Sequence, residues 1–211
     1  MTVAIRTWKM PTRHGQTVQQ MHRSGGGGIG LAVLLPGQAY PCDRPLLYYA
    51  RMVALEAGYD VLALEYGYQR AAAPADDIGE LADGAEEAIR WAAEQAAPLQ
   101  APLLIGKSLG TAVAAELVDR RGLFPGARSL LLTPLEHAMP LIAAGRAKAV
   151  IGTLDPLFAR PAIRESRERY PEAWWVVPGT DHGLEAPGDV EASLEALGTA
   201  VRAMRAFFTG A

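Results

Sequence analysis

The feature that most constrains the fold is a repeat of short apolar runs. Each is closed by turn residues, and stretches of helical character lie between them. The runs are "LAVLLPG" (Leu31 to Gly37), "DVLALEYGY" (Asp60 to Tyr68), "APLLIG" (Ala101 to Gly106), "ARSLLLT" (Ala127 to Thr133), "AKAVIGT" (Ala147 to Thr153) and "AWWVVPG" (Ala173 to Gly179). Short, near-continuous apolar runs suit strands covered on both faces of a parallel sheet. The intervals carry helix signals. Pro45 to Gly58 has Pro at its start and Gly at its end. Asp77 and Glu80 form a D-x-x-E cap before a long helix whose apolar face is Ile78, Leu81, Ala85, Ile89 and Ala92, with Pro98 just beyond its end. Leu109 to Arg121 reads as a helix ended by Gly122, and Pro161 to Arg169 is helical. A final helix starts near Asp189, with Val190, Leu194, Leu197, Val201, Met204 and Phe208 on one stripe.

Before this repeat the pattern differs. "TVAIRTWKM" and "QTVQQMHRS" alternate polar and apolar residues, and His14-Gly15 between them signals a turn, so they read as a β-hairpin. "GGGGIG" (Gly25 to Gly30) spells G-x-G-x-x-G at Gly25, Gly27 and Gly30. A strand follows it where a dinucleotide fingerprint would need a helix, so it reads as a loop. The whole predicts an α/β chain. Its sheet is mostly parallel with an N-terminal antiparallel hairpin, and helices cover both faces.

Composition narrows the function classes. The 211 residues show no shift in composition, so residues 1–211 read as one domain. Half are hydrophobic, enough for a sizeable core. The net charge of −3, without a basic stripe, argues against a nucleic-acid partner. A lone cysteine, Cys42, excludes an internal disulfide. "MTVAIRTWKMPTRHG" lacks the apolar core of a signal peptide, and no apolar run approaches the ~18 residues of a membrane span. The expectation is a soluble cytoplasmic protein with no membrane partner and an open oligomeric state. Four scattered histidines and no H-E-x-x-H imply no metal, and no cofactor is expected.

In parallel sheets ligands sit beyond the carboxyl ends of the strands. There the sequence places Pro36-Gly37-Gln38-Ala39-Tyr40, Glu65-Tyr66, Lys107-Ser108, Glu136-His137, Asp155 and Asp181-His182. Gly106-Lys107-Ser108 could be the tail of a phosphate-binding loop, G-x-x-x-x-G-K-[ST]. That pattern needs Gly at position 101, which is Ala101, and residues 102–105 are a strand rather than a loop. Gly106-Lys107-Ser108-Leu109-Gly110 completes a G-x-S-x-G nucleophile elbow in strand–turn–helix context. A serine hydroxyl is a weak nucleophile. It needs a histidine base, and the histidine needs a carboxylate to orient it.

Over nearly its whole length the chain resembles the α/β-hydrolase superfamily, in its small serine hydrolases of the dienelactone-hydrolase and esterase type. Gly106 to Gly110, Asp155 in "GTLDPL" and His182 in "GTDHGL" carry the resemblance, in the family's chain order Ser, Asp, His. The resemblance implies Ser108 as nucleophile, His182 as general base and acid, and Asp155 as orienting acid, with Glu136 the competing acid. Leu109 N–H would be one oxyanion donor and Gln38 N–H the second, with Ala39 its alternative. Pro36-Gly37 stands where many members carry His-Gly, and Ser108 where dienelactone hydrolases carry Cys.

The remaining candidates are secondary. Ala39, Tyr40, Glu65, Tyr66, Lys107, Glu136 and His137 are candidate pocket residues. Lys107, the variable position of the elbow, is expected at the surface. Glu65 and Tyr66 either line the pocket or anchor their loop. His137 is pocket-lining or surface, and Cys42 a structural thiol or pocket wall. Asp181 reads as a turn residue. The short interval from Thr133 to Lys148 leaves room for only a helix or two, so no sizeable cap is expected. Such a site suits a small or accessible ester, thioester or lactone.

Overall fold

The computed structural model describes residues 3–12, 17–24, 26–71, 75–95 and 101–210. The predicted hairpin forms from β1 (Ala4–Pro11) and β2 (Thr17–Ser24), antiparallel from Ala4 opposite Ser24 to Pro11 opposite Thr17. Its expected turn at His14-Gly15 lies outside the described residues. The apolar runs become β3 (Leu31–Leu35), β4 (Asp60–Ala63), β5 (Leu103–Lys107), β6 (Arg128–Leu132), β7 (Ala147–Gly152) and β8 (Trp174–Val177). All eight strands share one sheet, ordered β1-β2-β4-β3-β5-β6-β7-β8. β2 pairs antiparallel with β4, and every pairing from β4 to β8 is parallel.

The helices are α1 (Pro45–Glu56), α2 (Gly67–Ala71), α3 (Ile78–Gln95), α4 (Leu109–Ala115), α5 (Met139–Ala143), α6 (Pro161–Arg169) and α7 (Val190–Thr209). Two cores form, one on each face of the sheet. α1 and α7 bury Leu46, Leu47, Val53, Met204 and Phe207 on one face. α3, α4, α5 and α6 bury Ile89, Val113, Leu141 and Ile163 on the other. Trp174 packs into the second core and Trp175 against the first, as adjacent strand residues must. The D-x-x-E cap closes reciprocally: Glu80 N–H donates to Asp77 Oδ1 at 2.9 Å, and Asp77 N–H to Glu80 Oε2 at 3.3 Å.

Three sequence expectations change. "DVLALEYGY" is a strand only to Ala63, and Gly67-Tyr68 open α2. The Gln20 side chain caps the end of β4: its amide donates to Glu65 O and its carbonyl accepts from Glu65 N–H. Next, α4 is α-helical only to Ala115 and continues as a π turn, Glu116–Arg120, before Gly122 at φ 63°. Third, the predicted apolar stripe of α7 meets the core only from Leu197 onward, through Leu197, Val201, Met204 and Phe208. Val190 and Leu194 are 70% and 63% exposed, while Ala196, Ala200, Ala203, Met204, Phe207 and Phe208 are buried. Ala196, Ala200, Ala203 and Phe207 widen the buried face beside that stripe.

The strand order reverses at β3, whose successors lie on either side of it. A crevice opens where neighbouring connections leave in opposite directions. The register sets Leu35 beside Gly106, so the turn after β3 and the turn after β5 meet at this point.

Candidate active site

The serine is displayed by a sharp turn. Ser108 stands between β5 and α4 at φ 50°, ψ −111°, a conformation few non-glycine residues adopt. Gly106 and Gly110 make it possible. A Cβ on Gly106 would lie 2.6 Å from Gly110 O, and one on Gly110 would collide with Leu35 O. Thr111 clamps the turn, since its hydroxyl donates to Ser108 O at 2.6 Å and accepts from Leu135 N–H at 3.0 Å.

The other two predicted residues arrive beside it. Asp155 lies just past the end of β7, its side chain fully buried, and its Oδ1 accepts from Leu157 N–H at 2.8 Å. Asp155 Oδ2 lies 2.7 Å from His182 Nδ1, and His182 Nε2 lies 2.9 Å from Ser108 Oγ. The Nδ1 contact with a carboxylate requires the proton on Nδ1, which leaves Nε2 as acceptor for the serine proton. His182 sits in the loop after β8, where Asp181 Oδ1 accepts from Gly183 N–H at 2.7 Å and from Glu185 N–H at 3.2 Å. Asp181 is therefore the turn residue it was expected to be. Glu136 is exposed, and no contact joins it to His182, which Asp155 engages.

The turn after β3 is rigid and open. Gly37 N–H donates to Tyr40 O at 3.0 Å and Tyr40 N–H to Gly37 O at 3.3 Å, leaving Gln38 and Ala39 exposed at its tip. Gln69 Nε2 donates to Gly37 O at 2.7 Å and to Gln38 O at 3.2 Å, and Tyr68 Oη donates to Gln38 O at 3.2 Å. A planar peptide points its N–H opposite its C=O, so fixing those two carbonyls also aims the N–H groups of Gln38 and Ala39. Leu109 opens α4, where a helix N–H has no intrahelical acceptor. Sequence reasoning missed Tyr68 and Gln69 because it read them as following a strand. A Tyr-Gln pair opening a short helix beside the crevice was the available signal.

Other candidates settle outside the centre. Glu65 anchors its loop to β2 and accepts from Gln19 N–H at 3.0 Å. Tyr66 is 5% exposed and stacks on Tyr68, with burial raising its phenol well above the ordinary range. His137 is an exposed residue of a 3₁₀ turn, Glu136–Ala138. Cys42 is buried, its thiol donating to Leu64 O at 3.3 Å, and burial pushes it up to about 12. It is a structural thiol, not a nucleophile. Lys107 overturns its expectation outright. It is 2% exposed, because the residue two after buried Ile105 falls on the face covered by α1 and α7. Among the described residues, no three His, Cys, Asp or Glu side chains converge to hold a metal ion. No helix among them is long and apolar enough to cross a membrane.

No protein-family model matches the chain, and no curated protein matches it in sequence. Solved structures do match in shape. An α/β serine hydrolase homologue from Coxiella burnetii superposes at TM-score 0.66 with 14% identity, over 94% of this chain and 96% of that one. This is the α/β-hydrolase fold. The same architecture recurs in a protein of unknown function from Agrobacterium tumefaciens, at TM-score 0.71 and 14% identity, covering 97% of each chain. An esterase from Pyrococcus furiosus matches at TM-score 0.63 and 15% identity, over 94% of this chain and 92% of that one. Within this fold, the Ser108 turn lies between β5 and α4, and the Asp155 and His182 loops follow β7 and β8.

Proposed function

We propose that the protein is a serine hydrolase that cleaves a small carboxylic ester, thioester or lactone through an acyl-enzyme. The observation that carries this reading is the unbroken contact chain from Ser108 Oγ to His182 at 2.9 Å and from His182 to Asp155 at 2.7 Å. Ser108 attacks the acyl carbon while His182 Nε2 takes its proton, and Asp155 stabilises the imidazolium that forms. The oxyanion is held by the N–H groups of Leu109 and Gln38. His182 then returns the proton to the leaving group, and water repeats the sequence to release the acid. One domain without a sizeable cap fits such an accessible substrate, since only a 3₁₀ turn and α5 lie between β6 and β7.

The test is turnover of short p-nitrophenyl esters, with fluorophosphonate labelling alongside. Ser108→Ala is expected to lose labelling and to lower kcat on the order of 10³-fold or more. Equal turnover or labelling in the variant would refute the assignment. An unlabelled wild-type protein would indicate a catalytically silent member of the fold that acts by binding.

A further inference from the structure

A buried lysine beside the nucleophile is a physical anomaly. Cations taken from water need a compensating partner. Half-buried Arg121, for instance, pairs with Asp83 at 2.6 Å and with Glu116 at 3.2 Å. Among the described residues, no carboxylate lies within ion-pair distance of the Lys107 ammonium and no acceptor hydrogen-bonds it. Its nearest compensation is the Tyr40 ring, with Nζ 5.1 Å from the ring centroid. Its stem runs beneath Gly37, where an added Cβ would lie 3.5 Å from Lys107 Cγ. Tyr40 is fixed in turn, its hydroxyl accepting from Leu46 N–H at 3.0 Å at the start of α1.

One ring and two carboxylates act on this ammonium. Tyr40 is on the turn after β3, Asp155 on the loop after β7, and Asp181 on the loop after β8, next to His182. Glu185 acts on Tyr40 from the same last loop. The ammonium therefore has its nearest contact on the turn carrying the proposed oxyanion donor, and the carboxylates of the other two loops act on it through charge alone.

We infer that Lys107 is a positioning residue, whose protonated ammonium braces the Gly37–Tyr40 turn that carries the proposed oxyanion donor. This rests on the hydrolase reading above. The brace acts only while the ammonium is charged, because a neutral amine is not drawn to the ring or the carboxylates. Burial lowers Lys107 to about 8, with Asp155 and Asp181 opposing the fall. The brace thus releases as pH rises through that region.

The experiment measures kcat and KM for a short p-nitrophenyl ester across the alkaline range, for wild type and Lys107→Met, together with thermal melts. Wild-type kcat is expected to fall roughly tenfold through an apparent pKa near that of Lys107, with KM changed less than about twofold. Lys107→Met keeps the stem and removes the charge. It is expected to show the low rate already at neutral pH, without the alkaline fall, and to melt at a higher temperature because a desolvated cation is gone. A residue that merely packs would give the opposite melt and leave the pH profile unchanged. Tyr40→Leu gives a second variant: it leaves the lysine but removes the ring, so the alkaline fall is expected to move to lower pH.

The ¹³Cε resonance of Lys107 supplies a readout independent of activity, in a chain whose other lysines are Lys9 and Lys148. Titration of Lys107 together with those two would overturn the inference, as would wild-type rates and an intact alkaline fall in Lys107→Met. Ester turnover combined with an ordinary Lys107 titration would remove this inference alone. Absence of any ester turnover would remove the hydrolase reading and the inference with it.

Discussion

At the scale of single residues the site is held by side chains whose roles follow from what they touch. Ser108 occupies a backbone conformation that costs on the order of 1–3 kcal/mol, and Thr111 offsets this by bonding both Ser108 O and Leu135 N–H. Asp155 is wholly buried with both carboxylate oxygens engaged, Oδ1 by Leu157 N–H and Oδ2 by His182. Asp155→Asn would retain the Leu157 bond but present an N–H₂ or a neutral oxygen to His182. The histidine would then lose the tautomer that leaves Nε2 free to accept. We expect kcat to fall on the order of 10³–10⁴-fold while the melting temperature changes little. Steady-state kinetics with parallel calorimetry check this, and a loss of activity matched by unfolding would refute it.

Between elements, the decisive contacts are backbone on backbone. β3, β5 and α4 approach so closely that Gly110 has the carbonyl of Leu35 where a Cβ would stand. Gly110→Ala must push α4 away from β3 and disturb both turns at the crevice. A cost of about 3 kcal/mol or more is expected, read as a lowered denaturation midpoint, with loss of fluorophosphonate labelling even in folded protein. Unchanged stability would mean that the elbow is looser than its geometry implies. Helix α7 teaches a related lesson. Its predicted stripe meets the core from Leu197 to Phe208 but faces solvent at Val190 and Leu194. Periodicity identifies a helix and its apolar face, but how much of that face is covered depends on the surface the helix meets.

Across the whole molecule, the antiparallel hairpin is joined to the parallel sheet through β2 and β4, and a buried titratable pair marks the seam. His22 on β2 is 1% exposed, sits edge-on to Trp91, and has Nε2 3.3 Å from Oδ2 of Asp60 on β4. Burial lowers its pKa below 6.5, with Asp60 opposing the change. Between those two values the unfolded chain binds more protons than the folded one. Stability is therefore complete above about pH 6.5 and is lost as pH falls toward the folded value. Urea midpoints measured downward through that range should decline in wild type and decline less in His22→Phe. An identical slope in both would exclude His22 as the cause.

The strand–helix order and the placing of Ser108, Asp155 and His182 at the ends of three strands were legible in the chain itself. An apolar run of five residues, a capping pair such as Asp77 and Glu80, and a G-x-S-x-G turn each depend on near neighbours, so their physics is local. Even the meeting of Ser108, Asp155 and His182 follows from local facts, because a parallel sheet gathers its strand ends on one edge. The end of β4, the exposure of Val190 and Leu194 at the start of α7, the support of the Gln38 turn by Gln69, and the burial of Lys107 were decided only in the folded molecule. Each depends on residues far apart in the chain, such as Gln20 with Glu65 or Lys107 with Tyr40. No periodicity carries such a pairing. A lysine reads as a surface residue wherever it stands in sequence, and packing beneath the Gly37–Tyr40 turn is what takes this one out of water.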